Sequence, residues 1–163
     1  MNKKLRIAAP TLALGLLLTT TACAAPAAQT TPAPSEVTAG SDPIIGEWTM
    51  STLEFETDGE FDVVPFAGQI IFTDAGTVAV QAQNPDTTAP DTAYTVQGYE
   101  AFYGDATIDQ DAGTFSVDVV SAAARDLIGQ TLVRNFEVTD DTLVLTPVDA
   151  SEGWRVTYER ATE

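Results

Sequence analysis

Arg134 lies in an alternating run, Leu132-Val133-Arg134-Asn135-Phe136-Glu137-Val138, on the face it shares with Leu132, Phe136 and Val138. A run of this period reads as a half-buried strand, and its parity turns the guanidinium toward the core. A guanidinium stays charged inside a protein, and burying it unpaired is costly. Arg134 therefore has to meet a carboxylate, a cluster of carbonyls, water, or an anionic group on a ligand. Arg160 shares a face with Trp154, Val156 and Tyr158 in the same way. Aromatic residues concentrate in one stretch, at Tyr94, Tyr99, Phe102 and Tyr103. Such rings either line an open cavity, with hydroxyls to orient a ligand, or simply fill a small barrel. Arg134, Tyr99, Tyr103, Phe102 and Tyr94 are the ligand-binding candidates.

Other chemistry is excluded by what is missing. The chain of 163 residues has no histidine and one cysteine, and a formal charge of −17. Triads built on an imidazole base are ruled out, as is a zinc site of the usual Cys and His type. Lys3, Lys4 and Arg6 sit in the first six residues, which leaves Arg125, Arg134, Arg155 and Arg160 as the cations of the rest. So few cations among so many acids repel phosphates, so nucleic acid is not an expected partner. Asp109-Gln110-Asp111-Ala112-Gly113 resembles the start of a calcium loop but lacks its later ligands and closing Glu, and it reads as a hairpin turn. Glu54, Glu56, Asp58, Glu60 and Asp62 occupy every second position and read as a charged edge that discourages pairing with other chains. No pair of carboxylates is singled out for acid–base work. No catalytic residue, metal site or cofactor is assigned.

These side chains need a scaffold, and period-two alternation supplies it. Val78, Val80 and Ala82 alternate with Thr77, Ala79, Gln81 and Gln83; Phe115, Val117 and Val119 alternate with Ser116 and Asp118. Asp and Gly punctuate the runs at Thr57-Asp58-Gly59-Glu60, Asp74-Ala75-Gly76, 109–113 and Asp140-Asp141. Strands are predicted near 46–56, 61–65, 68–73, 77–83, 94–108 with a break at Gly104, 113–121, 130–139, 142–147 and 153–161. Asn84 to Ala93 reads as a long surface loop, and Ser121 to Gly129 as one or two helical turns. Short strands at this spacing predict an all-β antiparallel sandwich or barrel over residues 44–163.

The N-terminus carries an address. Lys3, Lys4 and Arg6 precede an apolar stretch from Ile7 to Leu18, then Thr19-Thr20-Thr21-Ala22-Cys23. That is the layout of an export signal, and its apolar part falls short of the roughly 20 residues that span a bilayer. Thr21-Ala22-Cys23 resembles the lipobox of bacterial lipoproteins, although Thr20 stands where that pattern usually has leucine; an ordinary secretory signal is the alternative. The resemblance implies cleavage of residues 1–22 and a lipid on Cys23, hence a membrane partner and a place on the extracytoplasmic side of the bacterial cell envelope. Processing would leave four arginines against 24 acidic residues, a charge of −20. Residues 23–43 contain almost no large apolar side chain and read as a disordered tether, with a reach on the order of 25 Å.

Ile45-Gly46-Glu47-Trp48 resembles the Gly-x-Trp that opens lipocalins, and residues 44–161 are similar to the bacterial lipocalin-like domain family. The landmarks are Gly68 to Gly76, Gly98 to Gly104, Leu127-Ile128-Gly129, Val133 to Glu137 and Arg155 to Arg160. Members often carry histidines on the strand matching Thr114–Val120, and this chain has none. The resemblance implies an antiparallel, roughly eight-stranded lipocalin-like barrel, with Arg160 packed over Trp48 to close one end. It supplies little function. A non-catalytic module binding a small, partly apolar or anionic ligand is the expectation. Its alternatives are a filled barrel acting through protein–protein contacts at 84–93 and 121–129, and a small isomerase- or cyclase-type enzyme. The high negative charge argues for a monomer.

Overall fold

The structure is a computed structural model that describes residues 42–162. The expected signal at 1–22, Cys23 and nearly all of the 23–43 tether lie outside the described residues. The strands are β1 (Gly46–Thr57), β2 (Glu60–Val64), β3 (Ala67–Thr73), β4 (Thr77–Gln83), β5 (Thr95–Val96), β6 (Tyr99–Asp109), β7 (Thr114–Ala122), β8 (Thr131–Val138), β9 (Thr142–Pro147) and β10 (Trp154–Arg160). Single 3-10 turns occupy Arg125–Leu127 and Ala150–Glu152.

β1, β3, β4, β6, β7, β8, β9 and β10 pair antiparallel in sequence order, and β10 pairs back onto β1. The result is a closed, all-β, eight-stranded up-and-down barrel. β2 extends the end of β1 as a hairpin, and β5 is a short addition to β6. Turn chemistry sets the register at that hairpin: Asp58 and Gly59 both have positive φ, 54° and 86°, as a two-residue turn matching the twist of its strands requires.

Two interruptions aim side chains. In β1 the register slips between Met50 and Thr52, so Trp48 and Met50 face inward before the bulge and Leu53 and Phe55 after it. Gly104 is the second. The β6–β7 register shifts there, and a side chain would run into the Asp118 carbonyl and Val117. The predicted break of the 94–108 strand at Gly104 is corrected: the chain stays in the sheet at that glycine, through a bulge. It breaks instead at Gln97-Gly98, whose φ angles of 54° and 72° suit a tight turn.

Large side chains plug one end of the barrel. Trp48, Phe72, Phe136 and Leu143 are buried there, and Phe115 meets Phe72 edge-on with centroids 5.0 Å apart. The Trp48 indole N–H donates to the Ile44 carbonyl at 2.8 Å. Arg160 lies with its guanidinium carbon 3.9 Å from the Trp48 ring centroid. Its three nitrogens donate to the carbonyls of Asp140, Ile45 and Pro43 at 2.6, 3.0 and 2.7 Å. Gly46 has φ +131°, and a Cβ on it would stand 2.9 Å from the Arg160 Nη1. One cation thus ties the chain before β1 to the turn between β8 and β9. Arg160→Met should lower stability by about 2–4 kcal/mol, the sum of a cation–π contact and charge-assisted hydrogen bonds. Urea denaturation should show a lower midpoint at unchanged slope, and Arg160→Lys should recover little, because a lysine cannot reproduce the fork.

Candidate functional site

Toward the other end the barrel is not filled. A cavity of about 360 Å³ opens there, walled by apolar side chains including Met50, Leu53, Ile70, Val80, Phe102 and Leu145. Few polar groups interrupt this wall: Arg134 from β8, Glu100 from β6, Tyr158 from β10, Tyr94, Thr92 and Thr95 around the end of the 84–94 loop, and Glu152. An apolar enclosure of a few hundred cubic ångströms with a handful of polar groups has the form of a small-molecule site.

Arg134 faces inward with Leu132 and Phe136, as its parity predicts. Its Nη1 donates to the Val133 carbonyl at 2.8 Å and its Nη2 to the Tyr94 hydroxyl at 2.7 Å. The guanidinium carbon lies 5.2 Å from the Trp154 ring centroid and 5.8 Å from that of Tyr94. The arginine is thus held among rings and a hydroxyl. No carboxylate pairs with it: among the described residues the one ion pair is Arg155 with Glu54, whose oxygens accept at 2.8 and 2.9 Å. Tyr94 reaches this place because the loop before it is organised. The Asp91 carboxylate accepts from the backbone N–H groups of Gln97 and Gly98 at 2.9 and 2.8 Å. Thr95 is buried and its hydroxyl accepts from the Thr92 N–H at 2.7 Å. The Gly98 and Gln97 N–H groups hold the Asp91 carboxyl below its usual range.

Of the other sequence candidates, Phe102 lines the cavity but Tyr99 and Tyr103 do not. Both lie on the outer face of β6, 41% and 43% exposed, so their place in the candidate site is corrected. Alternation along β6 is the reason: Glu100 and Phe102 point inward, and the tyrosines between them point out. Two residues that sequence reasoning passed over take their place. Glu100 faces the cavity without a hydrogen-bond partner among the described residues, and burial raises its carboxyl to about 7 despite the pull of the Arg134 charge. Tyr158 is 3% exposed, and burial, with the Glu100 charge adding to it, pushes its hydroxyl well above the ordinary phenol range. The strand parity of Tyr158 was readable. A carboxylate facing inward has no apolar signature, so nothing marked Glu100 as part of a site.

The raised carboxyl ties stability to pH. Below about pH 4.5 Glu100 is protonated in both folded and unfolded chains; between 4.5 and about 7 only the folded chain keeps the proton. The folded state then binds more protons, so stability falls as pH rises through that window and levels off above it. The loss should be about 3 kcal/mol. The lowered carboxyls of Glu54, Asp86, Asp91 and Asp149 act below this window and with the opposite sign. Urea unfolding of wild type and Glu100→Gln between pH 4.5 and 8 measures this directly: the variant should lack the decline.

No protein-family model matches the chain, and no curated protein matches it. Solved structures similar to it include an uncharacterized protein from Bacteroides eggerthii, 16% identical with a TM-score of 0.45, the match covering 72% of this chain and 98% of that one. A lipocalin-like protein from Bacteroides uniformis is 15% identical with a TM-score of 0.48, over 73% of this chain and 99% of its own.

Proposed function

We propose that this chain is a lipid-anchored lipoprotein of the bacterial cell envelope whose lipocalin-like barrel binds a small, partly apolar ligand on the extracytoplasmic side of a membrane. The observation that carries the binding role is the apolar cavity of about 360 Å³, within the range that small ligands occupy. That space favours binding inside the barrel over the filled-barrel alternative. Arg134, Phe102 and Tyr94 are the sequence candidates that meet the ligand, with Arg134 offered to an anionic or acceptor group on it. The anchor rests on the sequence: Thr21-Ala22-Cys23 following a cationic start and an apolar stretch, with Cys23 the single cysteine.

An isomerase-type enzyme keeps one observation in its favour: Glu100 has a carboxyl near 7 in the same cavity as Tyr158, and a neutral-range acid is suited to proton transfer. Binding requires only the cavity and its polar groups, and is therefore the stated function.

Trp154 lines the cavity and Trp48 is buried at the plugged end, so indole fluorescence separates the two. A saturable change on titration with an apolar anionic dye, lost in Trp154→Phe, is the expected result. Arg134→Ala should weaken the dye about tenfold, the worth of one charge-assisted hydrogen bond. An unchanged affinity for every anionic ligand would remove the arginine from the site. The anchor has its own test: Cys23→Ser should move the protein from the membrane to the soluble fraction and abolish labelling by a fatty acid.

A further inference from the structure

The polar groups of the cavity are arranged as two opposite poles that do not meet. Glu100 on β6 and Arg134 on β8 line the same space, and the charge of Arg134 acts on the Glu100 carboxyl. Yet no ion pair forms between them, and the carboxyl of Glu100 takes no hydrogen bond from any described residue. The Tyr158 hydroxyl belongs to a residue 3% exposed that lines the cavity, and it too has no hydrogen-bond partner among the described residues. Arg134 spends one hydrogen on the Val133 carbonyl and one on the Tyr94 hydroxyl, out of five that a guanidinium carries. These acceptors and donors therefore open onto one apolar space. Among the described residues no fully buried side-chain N or O atom lacks a hydrogen-bond partner, so the free capacity of Glu100, Tyr158 and Arg134 is accessible from the cavity they line.

We propose that the cavity selects a ligand with an apolar body and an amide-type head, which donates an N–H to Glu100 and accepts at its carbonyl from Arg134 or Tyr158. This deepens the binding role proposed above and rests on it. A carboxylate head would satisfy the arginine but face Glu100 with a second acceptor whenever that carboxyl is ionised. An ammonium head would satisfy Glu100 and meet Arg134 as a like charge. Ionic heads also lose their hydration on entering an apolar enclosure, a penalty that a neutral head largely avoids. An amide complements a carboxyl whether or not the carboxyl carries its proton, since its carbonyl can accept what its N–H no longer gives. The approach disfavours anions further: Glu152 is part of the wall itself, and Glu56 lies on the far half of β1, which also supplies Leu53 and Phe55 to the wall.

The test is a set of probes with one chain and different heads: octanamide, octanoate, octylamine and octanol, titrated against the full chain at neutral pH and read by Trp154 fluorescence. Octanamide should bind about tenfold more tightly than octanol, the worth of roughly one net hydrogen bond to a charged group, and more tightly than either ionic probe. Octanoate as the tightest would show that Arg134 alone anchors the head, and octylamine that Glu100 alone does; either overturns the proposal. Equal affinity for octanamide and octanol overturns it as well and leaves apolar binding intact. No binding by any of the four overturns the binding role together with the head selection. Glu100→Met, which keeps an unbranched chain at that place, should reduce the lead of octanamide over octanol to less than about threefold. The wild-type ranking stands as a test without it.

Discussion

Everything in this domain depends on the pairing of β10 with β1. Seven antiparallel neighbours in sequence order make an open sheet with two raw edges; the eighth pairing, from Trp48 opposite Arg160 to Phe55 opposite Trp154, removes them. Closure also creates the interior. Before it, Arg134, Glu100 and Tyr158 are side chains on one face of a sheet; after it, they share a cavity. The Arg160 guanidinium fastens this pairing at the plugged end. It covers Trp48 and gathers carbonyls from before β1 and from the β8–β9 turn, so that the first and last strands of the barrel cannot slide past each other without breaking it.

An eight-stranded barrel is just wide enough for its own side chains to fill, so a cavity in one has to be made by choice of residue. Here the choice varies along the axis. Trp48, Phe72, Phe136 and Leu143 fill the plugged end, while Val80, Ile70, Val117 and Val156 stand where larger residues would fill the rest. The β1 bulge serves the same division. Without the slip between Met50 and Thr52, Leu53 and Phe55 would face solvent and Glu54 would face the cavity. With it, Glu54 lies outside and is taken by Arg155, whose guanidinium also lies 4.6 Å from the Phe61 ring centroid.

Much of this was legible in the sequence because strand parity is a strong signal where strands are regular. β4, β7, β8 and β10 obey simple alternation, and on that basis Arg134 and Arg160 read as inward-facing. Most strand limits followed from the same alternation and from turns rich in Asp and Gly, which left sandwich and barrel open; the barrel was implied by the resemblance to the lipocalin-like domain family. What could not be read divides by physical cause. The β1 bulge inserts a residue without changing composition, so alternation alone runs out of phase after Met50. On β6 the chemistry is inverted relative to expectation: Tyr99 and Tyr103 lie outside, and an acid, Glu100, lies inside. Aromatic clustering pointed to the tyrosines because rings normally seek the core, whereas Glu100 stands among those rings without an alternating apolar run to fix its face.

The allocation of the four arginines among the described residues connects stability to the proposed binding. Arg160 is saturated by carbonyls and a ring, and Arg155 by the two oxygens of Glu54. Arg125 lies exposed at a 3-10 turn. Arg134 alone is inside, with rings on its flanks and hydrogens to spare. The Tyr94 hydroxyl and the Val133 carbonyl position it without neutralising it, whereas a carboxylate partner at the same place would cancel its field. In a chain so rich in acids such a partner would have been the easiest outcome to reach. The loop that delivers Tyr94 is itself fixed by Asp91 and Thr95 before any ligand arrives. A cation held in place and left unneutralised, in the same cavity as a carboxyl left unpaired, is what the proposed binding role would draw on, and it separates a preorganised site from a buried salt bridge.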